Sequence, residues 1–203
     1  GGYIGMLLED CSADFGWCGF SNYHADEMEQ WTYEDEMNRT AIGSDWTALY
    51  GGTWDMQSGL AMHANTKGVG GWPRAMYANN GGANYVAEMQ VRRLSQGTSV
   101  TNPRYGMVGS NSDGGGIVDE FGAWFDPNAG TLTTHAVNDS AWQGWQSASL
   151  GSSFDYSKWH TLRMDKSNSV FTLWVDGIQK LQRTVNGIGA GRFLYILDRK
   201  SVV

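Results

Sequence analysis

The stretch that decides the fold reads WHTLRM from Trp159 to Met164, then DKSNS, then VFTLWVDG from Val170 to Gly177. Apolar side chains recur at every second position on both sides of the polar DKSNS segment, at Leu162 and Met164 and then at Phe171, Leu173 and Val175. Side chains alternate between the two faces of a strand, so each segment has one apolar face for a core. Asp-Gly is typical of a tight turn. The stretch therefore predicts an antiparallel hairpin that packs one face inward.

The same rhythm extends outward through most of the chain from about Trp46 onward. Short segments of alternating apolar and polar residues are bounded by Gly, Asn, Asp and Ser, which is typical of half-buried antiparallel strands. We predict strands at residues 53–57, 59–64, 74–78, 85–94, 104–110, 117–125, 131–137, 160–165 and 170–175. The acidic stretch 19–45 lacks this rhythm, and there we expect a short helix or a long loop.

The composition agrees with an all-β chain. There are 28 glycines, three prolines, 10 tryptophans, 9 tyrosines and 7 phenylalanines, which suit short strands joined by tight turns. A length of 203 residues suits one sandwich domain. We therefore predict a single domain over residues 1–203, folded as two antiparallel sheets, with residues 1–45 as an irregular N-terminal segment.

Charge and hydrophobicity exclude some partners. The formal net charge is −7, whereas nucleic-acid binding depends on clustered Lys and Arg that displace counterions from phosphate. No apolar run approaches the roughly 18 residues of a membrane-spanning helix. We expect neither a nucleic-acid partner nor a membrane span.

Cys11 and Cys18 are the two cysteines, and six residues separate them. A disulfide is our preferred interpretation, provided the two Cβ atoms face each other, and two unpaired thiols are the alternative. The sequons at Asn38 and Asn138 agree with secretion. We predict an extracellular protein whose signal peptide is already missing at Gly1. The last six residues, 198–203, match a translated sequencing adapter, so we expect them to be non-native and assign them no function.

Two stretches resemble a known superfamily. GTWDMQSGL from Gly52 to Leu60 is similar to its early hairpin, and FDYSKWHTLR from Phe154 to Arg163, followed by WVDG from Trp174 to Gly177, is similar to its late hairpin. The superfamily is that of the concanavalin A-like lectins and glucanases, in its laminin G-like and keto-disaccharide-hydrolase-like branches. The resemblance implies a jelly roll of two curved sheets, glycan or protein partners, no required cofactor and, in some members, a structural calcium. A laminin G-like adhesion domain is one alternative that it leaves open.

A glycoside hydrolase or a polysaccharide lyase is the other alternative. A retaining glycosidase needs two carboxyl groups about 5 to 5.5 Å apart. The E-x-D-x-E strand of the superfamily's glucanases is missing from this sequence, and the Arg-rich strand after Glu88 only loosely resembles that of alginate lyases. If the chain is an enzyme, we expect a carboxylate pair drawn from four candidates: Glu88, Asp119, Glu120 and Asp126.

Carbohydrate binding is our preferred prediction. Sugar rings stack their C–H faces on aromatic side chains, while their hydroxyls bond to polar groups. The aromatic candidates are those in turns or in polar, Gly-broken segments, or beside carboxylates: Trp72, Trp124, Trp142 and Trp145. Asn138, Asp119 and Glu120 are the candidate hydroxyl partners. The sequence does not identify the sugar.

Overall fold

The computed structural model describes residues 3–9, 18–27, 31–35, 40–41, 43–44, 46–49, 53–57, 61–65, 74–78, 84–93, 104–110, 119–188 and 193–197. Sixteen strands run through these residues: β1 (Tyr3–Glu9), β2 (Cys18–Glu27), β3 (Trp31–Asp35), β4 (Trp46–Leu49), β5 (Thr53–Gln57), β6 (Ala61–Asn65), β7 (Arg74–Ala78), β8 (Tyr85–Arg93), β9 (Arg104–Ser110), β10 (Glu120–Asp126), β11 (Thr131–Asn138), β12 (Ala141–Ser149), β13 (His160–Ser167), β14 (Val170–Val175), β15 (Ile178–Thr184) and β16 (Phe193–Leu197).

The strands form two antiparallel sheets. The first sheet has the order β12-β11-β10-β9-β16-β7-β4, with β1 also paired to β9, and the second has the order β15-β14-β13-β8-β2-β6-β5, with β3 paired to β2. The four consecutive strands β9 to β12 form a meander at one end of the first sheet. This architecture confirms the predicted all-β, two-sheet antiparallel sandwich.

The core lies between the two sheets. One face of β8 is fully buried, whereas the alternate residues are only half-buried, as its sequence pattern predicts. Phe121 of β10 stacks on Phe171 of β14 with ring centroids 3.9 Å apart, so this contact joins the two sheets. Burial of each such side chain contributes on the order of 1.5 to 3 kcal/mol to stability.

The hairpin that decides the fold is present as β13 and β14, with Leu162 opposite Val175 and Met164 opposite Leu173. His160, the first residue of β13, links this hairpin to its surroundings. Its Nδ1 lies 2.7 Å from Asp176 Oδ2 and its Nε2 lies 2.8 Å from the Asp155 carbonyl oxygen. The histidine therefore ties the loop before β13 to the Asp176-Gly177 turn, which is a structural task.

The stretch 19–45 is where the expectation from the sequence was wrong. Most of β2 and all of β3 lie there, in place of the expected helix or long loop. β2 pairs with β8 on one edge and with β3 on the other. Strand propensity depends on such pairing more than on local composition, so an acidic segment between two partners still becomes a strand. Among the described residues, no helix is long and apolar enough to cross a membrane.

Candidate functional site

The candidate site lies on the outer face of β10, β11 and β12, the face turned away from the core. Phe121, Ala123 and Phe125 of β10 belong to the core, so the residues that alternate with them point outward. The register of the meander places the following residues on this outer face: Glu120, Gly122, Trp124, Asp126, Thr133, His135, Val137, Trp142, Trp145 and Ser147. Most of them are covered, whereas the last three, all on β12, are exposed.

A β-bulge brings the two exposed tryptophans, Trp142 and Trp145, onto one face. Residues three apart point to opposite faces of a regular strand. Here Trp142 pairs with Val137 and Trp145 pairs with His135, so β12 has one residue more than β11 across the same interval. Gly144, with φ of 79°, takes up the extra residue. We call Trp142 and Trp145 the Trp pair.

The Trp pair is an angled aromatic surface. Trp142 is 51% exposed and Trp145 is 44% exposed. Their ring centroids are 4.8 Å apart and their planes are inclined by 66°. Large aromatic side chains at the surface mark binding sites when they are grouped rather than scattered. The surface is therefore suited to stacking of a flat, partly apolar ligand.

Buried rings support the Trp pair from below. His135 stacks on Trp142 with centroids 5.6 Å apart and ring planes 13° apart, and Trp124 meets Trp145 edge-on at 5.0 Å. A Cβ at Gly122 would overlap the His135 ring. Gly122 is thus required here, because only a glycine lets His135 lie flat against the sheet. The support holds both tryptophans at fixed angles.

His135 is itself held by a carboxylate. Its Nε2 bonds to Glu120 Oε1, and both side chains are almost wholly buried. Glu120, which the sequence suggested for catalysis and for hydroxyl binding, is therefore engaged beneath the Trp pair.

Arg104 packs beside Trp145 and pairs with a second candidate carboxylate. Its guanidinium lies 5.1 Å from the Trp145 ring centroid, and its Nε donates to Asp126 Oδ2 at 2.9 Å. The other oxygen of Asp126 accepts from the Ala129 backbone N–H at 3.0 Å. Both carboxylate oxygens of Asp126 are thus used to hold the β10–β11 turn and Arg104.

The two other candidate carboxylates make separate contacts. Glu88 is on β8 in the second sheet, with its Oε2 3.8 Å from Arg163 Nη1. Asp119 precedes β10 and accepts from the Asp139 backbone N–H at 2.8 Å. Glu88 therefore belongs to the opposite sheet, and Asp119 holds the turn between β11 and β12.

Glu120 and Asp126 are too far apart to form the carboxylate pair that hydrolysis needs. Six residues of extended strand separate Glu120 from Asp126, which is roughly 20 Å at the usual rise, and glycosidases need less than about 10 Å. Glu88 is on the other sheet. The positions of Glu88, Glu120 and Asp126 therefore give no support to the hydrolase alternative.

The remaining sequence candidates are placed only in part. Asn138 ends β11 and its Nδ2 donates to the Asn186 carbonyl oxygen at 2.5 Å. Trp72 and Cys11 lie outside the described residues, and Cys18 begins β2 with its side chain undescribed, so the disulfide stays a prediction. In the described part of the chain no group of three or more His, Cys, Asp or Glu side chains could hold a metal, and the structural calcium stays a prediction too.

Sequence reasoning did not identify His135 or Arg183 as parts of this site. His135 has no metal-ligand spacing, and its role comes from a partner 15 residues away. Arg183 lies on β15 and donates from Nη2 to the Gln143 carbonyl oxygen at 2.7 Å. The available signal was the glycine in WQGW, since a glycine inside a strand often marks a bulge.

No protein-family model matches the sequence, and no curated protein matches it. The solved structures that match include the following two. The carbohydrate binding module CBM66 from Bacillus subtilis superposes with a TM-score of 0.58 at 12% identity, over 79% of this chain and 96% of that one. Sheep galectin-11 in complex with glycerol gives a TM-score of 0.46 at 14% identity, over 60% of this chain and 88% of that one. The likeness to CBM66 supports the predicted jelly-roll sandwich, while membership of the concanavalin A-like superfamily stays a prediction.

Proposed function

We propose that this chain is a carbohydrate-binding β-sandwich domain whose ligand stacks on the Trp pair. The observation that carries the proposal is the exposure of two touching indoles on an outward sheet face. Exposed tryptophan costs free energy in water, and stacking on the C–H face of a sugar recovers it. The fold likeness to a carbohydrate binding module agrees with this function.

The surroundings of the Trp pair favour an uncharged glycan. The strand β12, residues 141–149, has no charged side chain, and on the face of the Trp pair it exposes the hydroxyls of Ser147 and Ser149. These uncharged groups can form hydrogen bonds with the hydroxyls of a neutral sugar. The neighbouring cations are engaged internally, Arg104 with Asp126 and Arg183 with backbone carbonyls. Both of these cations therefore already have partners in the protein, and β12 itself adds no positive charge.

The test is glycan-array screening of the whole chain, followed by titration calorimetry with the best neutral oligosaccharide. We expect Trp142→Ala and Trp145→Ala each to weaken binding about tenfold or more, because each removes a stacking face. Trp159→Ala is the matched control, since Trp159 is also exposed but lies beside Arg92 of the second sheet. Retention of full affinity in both Trp-pair variants, or no glycan bound by the array, would overturn the proposal.

In this proposal the domain acts outside the cell. The sequon at Asn138 and the Cys11 and Cys18 pair support that location, and mass spectrometry of the protein secreted from eukaryotic cells would test for the glycan and the disulfide.

A further inference from the structure

We propose that Arg183 sets the angle between Trp142 and Trp145 and so determines how well the Trp pair binds. Only the affinity part of this inference rests on the proposed function. The geometric part concerns the protein without any ligand.

Arg183 reaches across from the second sheet to the bulge. It lies on β15, and its Nη2 donates to the Gln143 carbonyl oxygen at 2.7 Å while Nη1 donates to that of Gly144 at 3.1 Å. Gln143 and Gly144 are the two residues between the tryptophans. Their peptide planes therefore orient both indoles, and one guanidinium holds them.

The same guanidinium also belongs to a hydrogen-bond network that includes Thr134. Nη1 also lies 3.3 Å from Thr134 Oγ1, and this hydroxyl donates to the Gln146 carbonyl oxygen at 3.3 Å. Arg183 and Thr134 thus hold the backbone on both sides of Trp145.

The bulge explains why such a residue is needed. An extra residue in one strand locally disrupts the ladder of backbone hydrogen bonds, and buried carbonyls need other donors. A guanidinium offers five N–H groups in a planar fork, which suits two successive carbonyls better than the single ammonium of lysine.

The position of Arg183 in its strand argues for a specific task. Leu181 and Val185 flank it at period two and both belong to the core, so the alternation predicts an apolar residue at 183. The residue there is an arginine, and its side chain is nevertheless only 6% exposed. Burial of a cation is costly unless its hydrogen bonds compensate. The bonds to the bulge provide that compensation.

The test uses the exciton couplet in the circular dichroism spectrum that closely packed indoles produce, here those of Trp142, Trp145 and Trp124. We expect Arg183→Met to reduce the couplet and to weaken glycan binding about tenfold, since it removes the charge-assisted hydrogen bonds that hold the bulge. Lys180→Met on the same strand removes an equal charge that makes no such bond and should leave both unchanged. Arg183→Lys should retain only part of the couplet. Lysine keeps the charge but lacks the planar set of N–H donors of a guanidinium.

Thermal unfolding of every variant shows whether a change in the couplet comes from moved tryptophans in a folded protein or from loss of the fold. If Arg183→Met does not fold, Arg183→Lys and Thr134→Val carry the same test, with a smaller loss of the couplet expected for Thr134→Val. An unchanged couplet in a folded Arg183→Met, or an equal loss in Lys180→Met, would overturn the inference. If the unmodified protein binds no glycan, the proposed function fails while the couplet still decides the role of Arg183.

Discussion

His135 lies almost parallel to Trp142, with 13° between the ring planes, while its Nε2 is bonded to Glu120. One exposed indole is thus supported by a buried histidine and carboxylate. The face that contacts ligand in our proposal therefore depends on polar groups that the ligand does not need to touch.

Glu120→Gln tests that support. The amide oxygen still accepts a hydrogen bond, but the charge is lost, so we expect a loss of about 1 to 3 kcal/mol in the free energy of unfolding. Urea denaturation measures it. Glu88→Gln is the control, because Glu88 is half-exposed and 3.8 Å from Arg163, a surface pair worth about 1 kcal/mol or less. Equal losses in the two variants would contradict a special role for Glu120.

Gly122→Ala tests the space beneath His135. The new Cβ would overlap the His135 ring, so the ring must move and Trp142 loses its stacking partner. We expect weaker glycan binding and an altered tryptophan fluorescence spectrum. Gly130→Ala is the control for stability, because a Cβ at residue 130 would meet nothing within 4 Å. The cost of this substitution comes only from the positive φ of 69° and is about 1 to 2 kcal/mol. Unchanged fluorescence in a folded Gly122→Ala would contradict the packing described here.

The burial of Lys166 predicts how the free energy of unfolding changes with pH. Burial lowers the pKa of Lys166 from 10.5 to about 8, so the folded protein releases this proton before the unfolded chain does. Below pH 8 the lysine is charged in both states and its burial cost is present in full. Between about pH 8 and 10 the unfolded chain binds more protons, and stability rises with pH.

Two tyrosines reverse this trend at higher pH. Burial raises the pKa of Tyr85, and burial together with Asp126 raises the pKa of Tyr156 to about 12. Both phenols ionise first in the unfolded chain, so stability falls above about pH 10. Urea midpoints across this range should pass through a maximum. Lys166→Met should abolish the rise and keep the fall, and a rise that persists in this variant would have another source.

The contacts of Asp176 predict that its replacement by Ala and by Asn will affect stability differently. Its Oδ1 accepts from the Thr161 backbone N–H at 2.9 Å, its Oδ2 is bonded to His160, and its φ is 51°. Asn tolerates this left-handed backbone and keeps an acceptor, whereas Ala does neither. We expect Asp176→Ala to cost about 2 kcal/mol or more and Asp176→Asn clearly less. Melting temperatures by circular dichroism would rank them, and the reverse order would show that the turn does not depend on this side chain.

The hairpin and the core face of β8 could be predicted because alternation alone decides them. Residues 85–94 were predicted as a strand and β8 spans Tyr85–Arg93. The strands β1 to β4, β12, β15 and β16 were missed, and for β12 and β15 the reason is visible in the structure. β12 is mostly exposed and interrupted by Gly144, so it has no apolar alternation to detect. β15 has Arg183 at a core position, which breaks the pattern at the point where the residue serves the bulge.

The exposure of two aromatic candidates could be predicted, but their arrangement could not. Trp142 and Trp145 were chosen because their segment is polar, and both are exposed. Trp124 was chosen with them, yet it is fully buried and supports Trp145 from below. Sequence spacing could not show this, because the shared face of the Trp pair depends on one inserted residue and on an arginine from the other sheet.

The bulge in β12 also bears on self-association. Among the described strands, β12 is the last in the order of its sheet, and an exposed terminal strand is a template on which further chains can polymerise. A glycine kink, with two neighbouring carbonyls already bonded to Arg183, presents an irregular edge that a regular strand cannot extend. We therefore expect the irregularity that aligns the two tryptophans to hinder pairing between copies of the domain at this edge.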